Sequence, residues 1–485
     1  MNAVGRWLVR AKRALAGALK GEQSQGRRLF WFVVALVSWA AVMAVPTPEA
    51  LGHEGQLAVA LVVAACVLFG SEALPLPAIG LLIPVYQVVV GGMSTESVTN
   101  NMMSNAVLFL MGTLMLVAAL TSRGVDKLIA LFILTRTGTN IYSVIFGIVA
   151  ASALLAGFMS DAAAALMLAP VLGIVSIVNE NREVPATNLT KLLIFAVGFG
   201  AIVGSPYTPA GGARNVIMLD YMAELGGENV SFLEWILYLA PFTVLMIGVV
   251  TFLLPRFFPP ETTDLKAAVA SLRVEVEERP VDRDQYLVIA VFAVTIVLWL
   301  MVGDLFGIGI IAIGAAALLL ALNSVTWQEY QKNVDWGVLV IYLGAISLGG
   351  YMAYTGAAQW VAQSFTEVSL ALGVEGGNSM VMLVSTLVTA MTSSMSAGAT
   401  ASVMGPIVIE ISAQTGIPVI VMGLSTALAS SFGFMLVVST PGNAIIYSSG
   451  YVRASDFIKV GFFAMIAAFG VFYLLLRLYW PWLTG

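Results

Sequence analysis

LLIFAVGFGAIVGSPYTPAGGARNVIMLDYM, residues 192–222, is apolar at both ends and broken in the middle. It is overlong for one membrane crossing, which takes about 20 residues. Its centre, Gly204-Ser205-Pro206-Tyr207-Thr208-Pro209-Ala210-Gly211-Gly212, cannot continue an α-helix, because proline removes a backbone donor and glycine favours bent backbone. The stretch reads as a helix unwound at membrane depth, where irregular backbone needs protein or a water-filled cavity around it. A second run, 418–447, is broken in the same way at Ser439-Thr440-Pro441-Gly442-Asn443. Two further overlong runs, 141–178 and 379–412, are interrupted by small and polar residues at Gly157–Ala165 and Thr392–Thr400, and suit re-entrant hairpins.

Composition agrees with a lipid solvent. The 485 residues are 59% hydrophobic and 10% charged, where a soluble domain carries about a quarter charged residues, and the mean hydropathy is +0.95. The single cysteine, Cys66, lies in an apolar run, so no intrachain disulfide, zinc cluster or redox pair can be built from it. The single histidine, His53, falls in a short polar loop, Gly52–Gln56, between two predicted spans. Residues 1–28 interleave seven Lys and Arg with Trp7, Leu8, Leu15 and Leu19, the pattern of a cytoplasmic amphipathic segment at the membrane surface. Arg27-Arg28 precede an apolar run with no small-residue cleavage site, which reads as an uncleaved first span.

The spans divide the chain in two. A first repeat, 29–254, holds scaffold spans, a hairpin at about 141–178 and a broken helix at about 192–222. A polar linker, 255–284, is read as cytoplasmic. A second repeat, 285–485, holds scaffold spans, a hairpin at about 379–412, a broken helix at about 418–447 and a last span. Setting Pro170 on Pro406 aligns Ser160 with Ser396; setting Asn215 on Asn443 aligns the breaks; Gly112 and Gly124 fall opposite Gly344 and Gly356. The loop at 221–235 has no Lys or Arg, while its counterpart at 451–460 has Arg453 and Lys459, so the repeats are expected to be inverted. The fold class is therefore an all-α polytopic membrane transporter with two inverted-topology repeats, re-entrant hairpins, discontinuous helices and about eleven spans.

Inverted repeats with paired broken helices put a binding site at the bilayer midplane, with half-helix N-termini toward an anion and opened carbonyls free for a small cation. At these residues the chain resembles the divalent anion/sodium symporter family. Ser430-Ser431-Phe432-Gly433-Phe434-Met435-Leu436 followed by Ser439-Thr440-Pro441-Gly442-Asn443-Ala444-Ile445 is similar to that family's second broken helix. Ser71-Glu72-Ala73-Leu74-Pro75-Leu76-Pro77, leading to Leu81-Leu82-Ile83-Pro84, also matches, and order and spacing agree over nearly the whole chain. The resemblance implies Na⁺-coupled import of a small anion (dicarboxylate-like, sulfonate or sulfate) by an elevator-type movement of hairpins and broken helices past a scaffold. It further implies a homodimer in a bacterial inner membrane, with Na⁺ as coupling ion and no other cofactor; lipid is a partner and nucleic acid is not.

Each hairpin tip of that family carries Ser-Asn-Thr, ten residues before a proline. The corresponding triplets here are Ser160-Asp161-Ala162 and Ser396-Ala397-Gly398: both serines are kept and both Asn-Thr pairs are lost. The family's Gly-Thr-Pro-Pro-Asn-like turn becomes Gly211-Gly212-Ala213-Arg214-Asn215, which brings in an arginine. The implied substrate residues are Ser160, Asp161, Ala162, Arg214, Ser396, Ala397, Gly398, Thr440 and Pro441. A first Na⁺ site is implied at Ser160, Asp161 and Gly211, and a second at Thr392, Met395, Ser396 and Ser439. Charges at such depth are costly and usually functional. Three readings of the Asp161–Arg214 pair stand open. It is a structural salt bridge; or Arg214 forks an oxyanion while Asp161 helps hold Na⁺; or Asp161 binds an ammonium group or cycles a proton. An exchanger or H⁺-coupled carrier on the same fold is the alternative. A cation/proton antiporter is opposed by Arg214, and an enzyme by the lack of a metal-ligand cluster or a Ser/His/Asp arrangement near membrane depth.

Overall fold

A computed structural model of the protein describes residues 25–484 apart from 137, 161, 181, 183 and 278–280. These residues are almost entirely helical, and the one isolated bridge among them pairs Asn140 with Asp264. In the first half, an outer helix, α1 (Gln25–Ala44), is followed by α2 (Gly52–Ser71), α3 (Leu76–Val89), short α4 (Thr95–Met102), α5 (Asn105–Ser122) and α6 (Val125–Arg136). The hairpin α7 (Ile141–Met159) and α8 (Ala162–Asn179), the broken helix α9 (Thr187–Gly204) and α10 (Ala213–Glu224), and α11 (Phe232–Phe257) complete it. After α12 (Lys266–Glu277) the order returns as α13 (Arg283–Phe306), α14 (Ile308–Ala321), short α15 (Trp327–Asn333), α16 (Trp336–Tyr354) and α17 (Ala357–Ala371). The second hairpin is α18 (Gly377–Ser394) and α19 (Ala397–Thr415), the second broken helix α20 (Val419–Ala429) and α21 (Pro441–Ser448), followed by α22 (Ala454–Leu478) and α23 (Pro481–Thr484).

The repeats embrace each other. In α3, a Cβ on Gly80 would stand 2.6 Å from the Val340 carbonyl oxygen of α16, and one on Gly344 would strike the Gly80 backbone. In the reciprocal pair, a Cβ on Gly112 of α5 would stand 2.5 Å from Cβ of Ala312 in α14. The register that sets Gly112 on Gly344 also sets Gly80 on Ala312, so one contact is the image of the other. The same exchange joins α10 to α19 and α8 to α21. Lipid tails are as apolar as side chains, so helices in a bilayer associate through close packing of small residues rather than by expelling water. These glycines supply that closeness. Each repeat makes an odd number of crossings: three scaffold helices, one broken helix and one closing helix, with a hairpin that enters and leaves on one side. Successive repeats therefore run in opposite directions, and α1 brings the crossings to about eleven.

Burial follows function. From Leu189 to Gly204 nearly every residue of α9 is buried, packed on α7 where a Cβ on Gly200 would stand 2.7 Å from the Val149 carbonyl. The periphery instead exposes large apolar side chains, among them Leu29, Phe30, Val294, Met301 and Phe462, which suits a lipid-facing belt.

The structure departs from the sequence reading in two segments. The loop expected at Gly52–Gln56 is the first turn of α2; the Gln56 amide donates to the Val42 and Val45 carbonyls at 2.9 and 2.8 Å and tightens the turn before it. The linker expected from Pro255 begins later, since α11 runs through Pro255 to Phe257, and it carries a helix of its own, α12. It is docked: the Ile141 amide donates to Thr263 at 3.0 Å and the Leu265 amide to Thr139 at 2.9 Å. Glu261 accepts from the Asn188 and Leu189 amides, both at 2.8 Å, capping α9. Partial burial works to raise its carboxyl, and those amides outweigh it and hold it below the usual carboxylate range.

Candidate functional site

Each broken helix is held open by an asparagine. The Asn215 amide donates to the carbonyls of Ser205 at 3.0 Å and Thr208 at 2.8 Å. The Asn443 amide donates to Gly433 at 2.7 Å and Leu436 at 3.0 Å, the same positions in the aligned register. Unwinding frees carbonyls that a continuous helix would satisfy, and one side chain recaptures two of them at each break. Both asparagine Oδ1 atoms are buried with no partner among the described residues, as is the hydroxyl of Ser439.

The first break is pinned to the first hairpin. Thr208 Oγ1 donates to the Gly157 carbonyl, one turn before the tip. A Cβ on Gly211 would strike the Ser205 carbonyl oxygen and stand 2.9 Å from that of Gly157, so only glycine fits there. At the tip, Ser160 has φ 51 and ψ −141, a conformation L-residues rarely adopt. Its amide donates to Ala156 at 2.9 Å and its carbonyl accepts from Ala163 at 3.2 Å. Ala162 opens α8; Asp161 lies outside the described residues, and with it the three readings of its pairing with Arg214.

Arg214 stands in the first turn of α10, buried to 5% exposure, and donates from Nη2 to the Ser205 hydroxyl. A guanidinium at the N-terminal end of a half-helix makes this turn doubly positive. The second tip is built differently. Met395 is extended at φ −139, and Ser396 caps α19, its hydroxyl accepting from the Ala399 amide at 3.3 Å. Ala397 and Gly398 form the first turn of α19 and bring no side-chain donor. Thr392 is buried with its hydroxyl turned back to the Val388 carbonyl at 3.0 Å. Thr440 caps α21 by accepting from the Asn443 amide at 3.1 Å, and Pro441 follows at its first position. The structure thus sets Gly211 against the hairpin at Gly157, three residues before Ser160, with Arg214 in the turn that follows, and places Ser439, Thr440 and Pro441 in succession at the second break.

Sequence reasoning missed Tyr342 of α16. Its hydroxyl is fully buried, has no partner among the described residues, and lies 3.7 Å from where a Cβ on Gly398 would be. Asp220, also missed, is buried two turns beyond Arg214.

Paired discontinuous helices interlocked with hairpins, with a buried guanidinium in the first turn of one half-helix and unpartnered oxygens at both breaks, are the arrangement of a membrane transporter. Residues 27–485 match the sodium:sulfate symporter transmembrane region, and the chain belongs to that family. It is 26% identical over 449 residues to an uncharacterized transporter of Haemophilus influenzae, covering 89% of this chain and 92% of that protein. It is 24% identical over 449 residues to the sodium-dependent dicarboxylate transporter SdcS of Staphylococcus aureus, covering 86% and 84%. The fold is similar to that of the Alcanivorax borkumensis YdaH transporter, with TM-score 0.58 at 14% identity over 89% of this chain and 99% of that one. It is also similar to MtrF of Neisseria gonorrhoeae, with TM-score 0.55 at 13% identity over 93% and 94%.

Proposed function

We propose that this chain imports a small anion, dicarboxylate-like, sulfonate or sulfate, coupled to Na⁺. The observation that carries the reading is Arg214, a buried guanidinium in the turn that opens the first broken helix. Arginine's planar fork suits a carboxylate or sulfonate. Family membership and the name of the Staphylococcus aureus relative support Na⁺ as the coupling ion. Ser160, Asp161, Ala162, Arg214, Ser396, Ala397, Gly398, Thr440 and Pro441 surround the anion. Ser160, Asp161 and Gly211 hold one Na⁺; Thr392, Met395, Ser396 and Ser439 hold the other, to which the unpartnered Ser439 hydroxyl is suited.

Hairpins and broken helices move as a transport unit past the scaffold helices of a homodimer, an elevator in which each repeat's unit is clasped by the other's. The membrane is a bacterial inner membrane, with the N-terminus and linker cytoplasmic. Exchange or H⁺ coupling is the second reading, favoured by a second tip whose Ala397 and Gly398 offer no side-chain oxygen to a cation. Binding tests the first. Purified protein in NaCl, titrated with succinate, sulfate or ethanesulfonate, gains thermal stability from at least one of them. Arg214→Lys weakens that anion about tenfold, since a point charge lacks the fork. Equal affinity in wild type and Arg214→Lys, or equal binding in choline chloride, contradicts it.

A further inference from the structure

Beside α1 the bundle carries a groove that anion transport does not use. Its walls run from Phe32 to Trp39 on α1, from Leu61 to Leu68 on α2 and from Ile79 to Val90 on α3, and it holds about 400 Å³. The side chains of the wall carry two polar atoms, Trp39 Nε1 and Tyr86 Oη, and are otherwise hydrocarbon. Trp39 Nε1 donates to Tyr86 Oη at 2.8 Å, and Tyr86 Oη donates to the Leu57 carbonyl at 3.1 Å, so both hydrogens are spent within the wall. Leu36, Leu82 and Val85 are about half exposed, which opens the groove sideways toward lipid. Among the described side chains of α1 only Ala35 is buried, so protein packs this helix thinly.

Depth and width limit what fits. Spans alternate in direction, so α1 begins, α2 ends and α3 begins at one face of the membrane. The wall starts near that face on all three: Leu68 stands just before the end of α2 at Ser71, Ile79 just after the start of α3 at Leu76, and Phe32 one turn past Arg28. From Arg28 to Trp39 the groove descends about 16 Å at 1.5 Å per residue, which is the depth of one leaflet of a hydrocarbon core about 30 Å thick. Spread over that depth, 400 Å³ is a slot of roughly 25 Å² in section, far below that of a helix 10–12 Å in diameter and enough for one hydrocarbon chain. A helix of a second copy does not enter it. Water would meet almost only carbon there, and an unfilled slot forfeits the dispersion contacts of its walls.

The mouth is positively charged. Arg27 and Arg28 are the only charges on α1; both are exposed, and neither forms an ion pair among the described residues. Arg28 stands four residues before Phe32 and eight before Leu36, so it shares their stripe along the helix and sits over the groove. Paired guanidinium groups at headgroup level suit a phosphate, which they can fork. We propose that the groove holds one acyl chain of an anionic phospholipid from the leaflet in which α1 begins, its phosphate held by Arg28 with Arg27 beside it. The lipid packs the side of α1 that protein leaves open and fastens this outermost helix to the bundle. The inference stands apart from which anion is transported and which ion drives it.

The test uses the full chain purified in detergent, with native mass spectra to count bound lipid and the unfolding midpoint as a second readout. The probes are phosphatidylglycerol and phosphatidylcholine of equal chain length, and glycerol 3-phosphate as the headgroup without chains. Wild type is expected to retain one phosphatidylglycerol per chain, to bind it about tenfold more tightly than phosphatidylcholine, to unfold at a higher temperature with it, and to ignore glycerol 3-phosphate. Ala64→Phe fills the slot from α2 and leaves every basic residue in place; it is expected to bind phosphatidylglycerol about tenfold more weakly. Arg27→Gln with Arg28→Gln is expected to bind the two lipids nearly equally. Equal binding by wild type and Ala64→Phe overturns the inference, as does an unchanged preference in the arginine double variant or stabilisation by glycerol 3-phosphate alone. Spectra in which Ala64→Phe loses a dimer rather than lipid would give the groove to a second copy and overturn it too. If Ala64→Phe does not fold, Leu36→Trp, at a half-exposed position of the same wall, takes its place with the same two outcomes.

Discussion

Asn215 and Asn443 show how single side chains hold a membrane helix open. Each amide donates twice to carbonyls left over by the break, at 2.7–3.0 Å. In lipid there is no water to take over those carbonyls. Replacing either residue by alanine strands two acceptors and is expected to lower stability by about 1–3 kcal/mol. Replacement by aspartate is worse, because a carboxylate would face two carbonyl oxygens with nothing to give. Unfolding midpoints of the four purified variants check this order; an Asn443→Asp as stable as Asn443→Ala contradicts the staple. These asparagines were legible in the sequence because a register could be laid between the breaks. Arg214 was legible as a charge in an apolar run. Tyr342 was not: a tyrosine within Trp336–Gly350 reads as packing, and only its approach to Gly398 separates it from its neighbours.

At the scale of elements, the hairpins and breaks could be read because small, polar and proline residues interrupt runs too long for one crossing. Short helices could not. Ser94 caps α4 and Thr326 caps α15, but helices of eight and seven residues fall below any periodic window. The helix in the linker hid behind its charges, although Leu265, Ala268 and Val269 form a buried face against the hairpin base. Packing of α3 on α16 and α5 on α14 depends on glycine at defined points. Gly344→Ala would drive a methyl group into the Gly80 backbone, which cannot yield as a side chain can, and is expected to cost about 1–3 kcal/mol by overpacking. Gly314→Ala on α14 meets nothing within 4 Å and removes a flexible residue from a helix, so it should leave stability unchanged or raise it by about 0.5–1 kcal/mol. Midpoints of the two variants that moved together would contradict the clasp.

The whole molecule is two copies of one plan, turned over and interlocked, with the broken helix of each copy packed on the other's hairpin. That plan was legible from order and spacing; the reciprocal clasp was not, since the sequence does not tell which half packs on which. Sidedness follows from it. α11 spans about 39 Å at 1.5 Å per residue over its 26 residues, so the loop before it and the linker after it lie on opposite faces. In a Cys66→Ala background, cysteines at exposed Asn229 and Lys266 should label from the outside and the cytoplasm respectively; labelling from one face would break the inverted plan.

Coupling is the central claim, and uptake into liposomes tests it most directly. Purified protein is reconstituted with equal pH on both sides, and a radiolabelled anion from the binding panel is followed under an imposed inward Na⁺ gradient. Accumulation above the external concentration, collapsing when Na⁺ is equal on both sides, is the result the account predicts. Accumulation driven by an inward H⁺ gradient in Na⁺-free medium, or uptake that needs anion inside and ignores Na⁺, would contradict it.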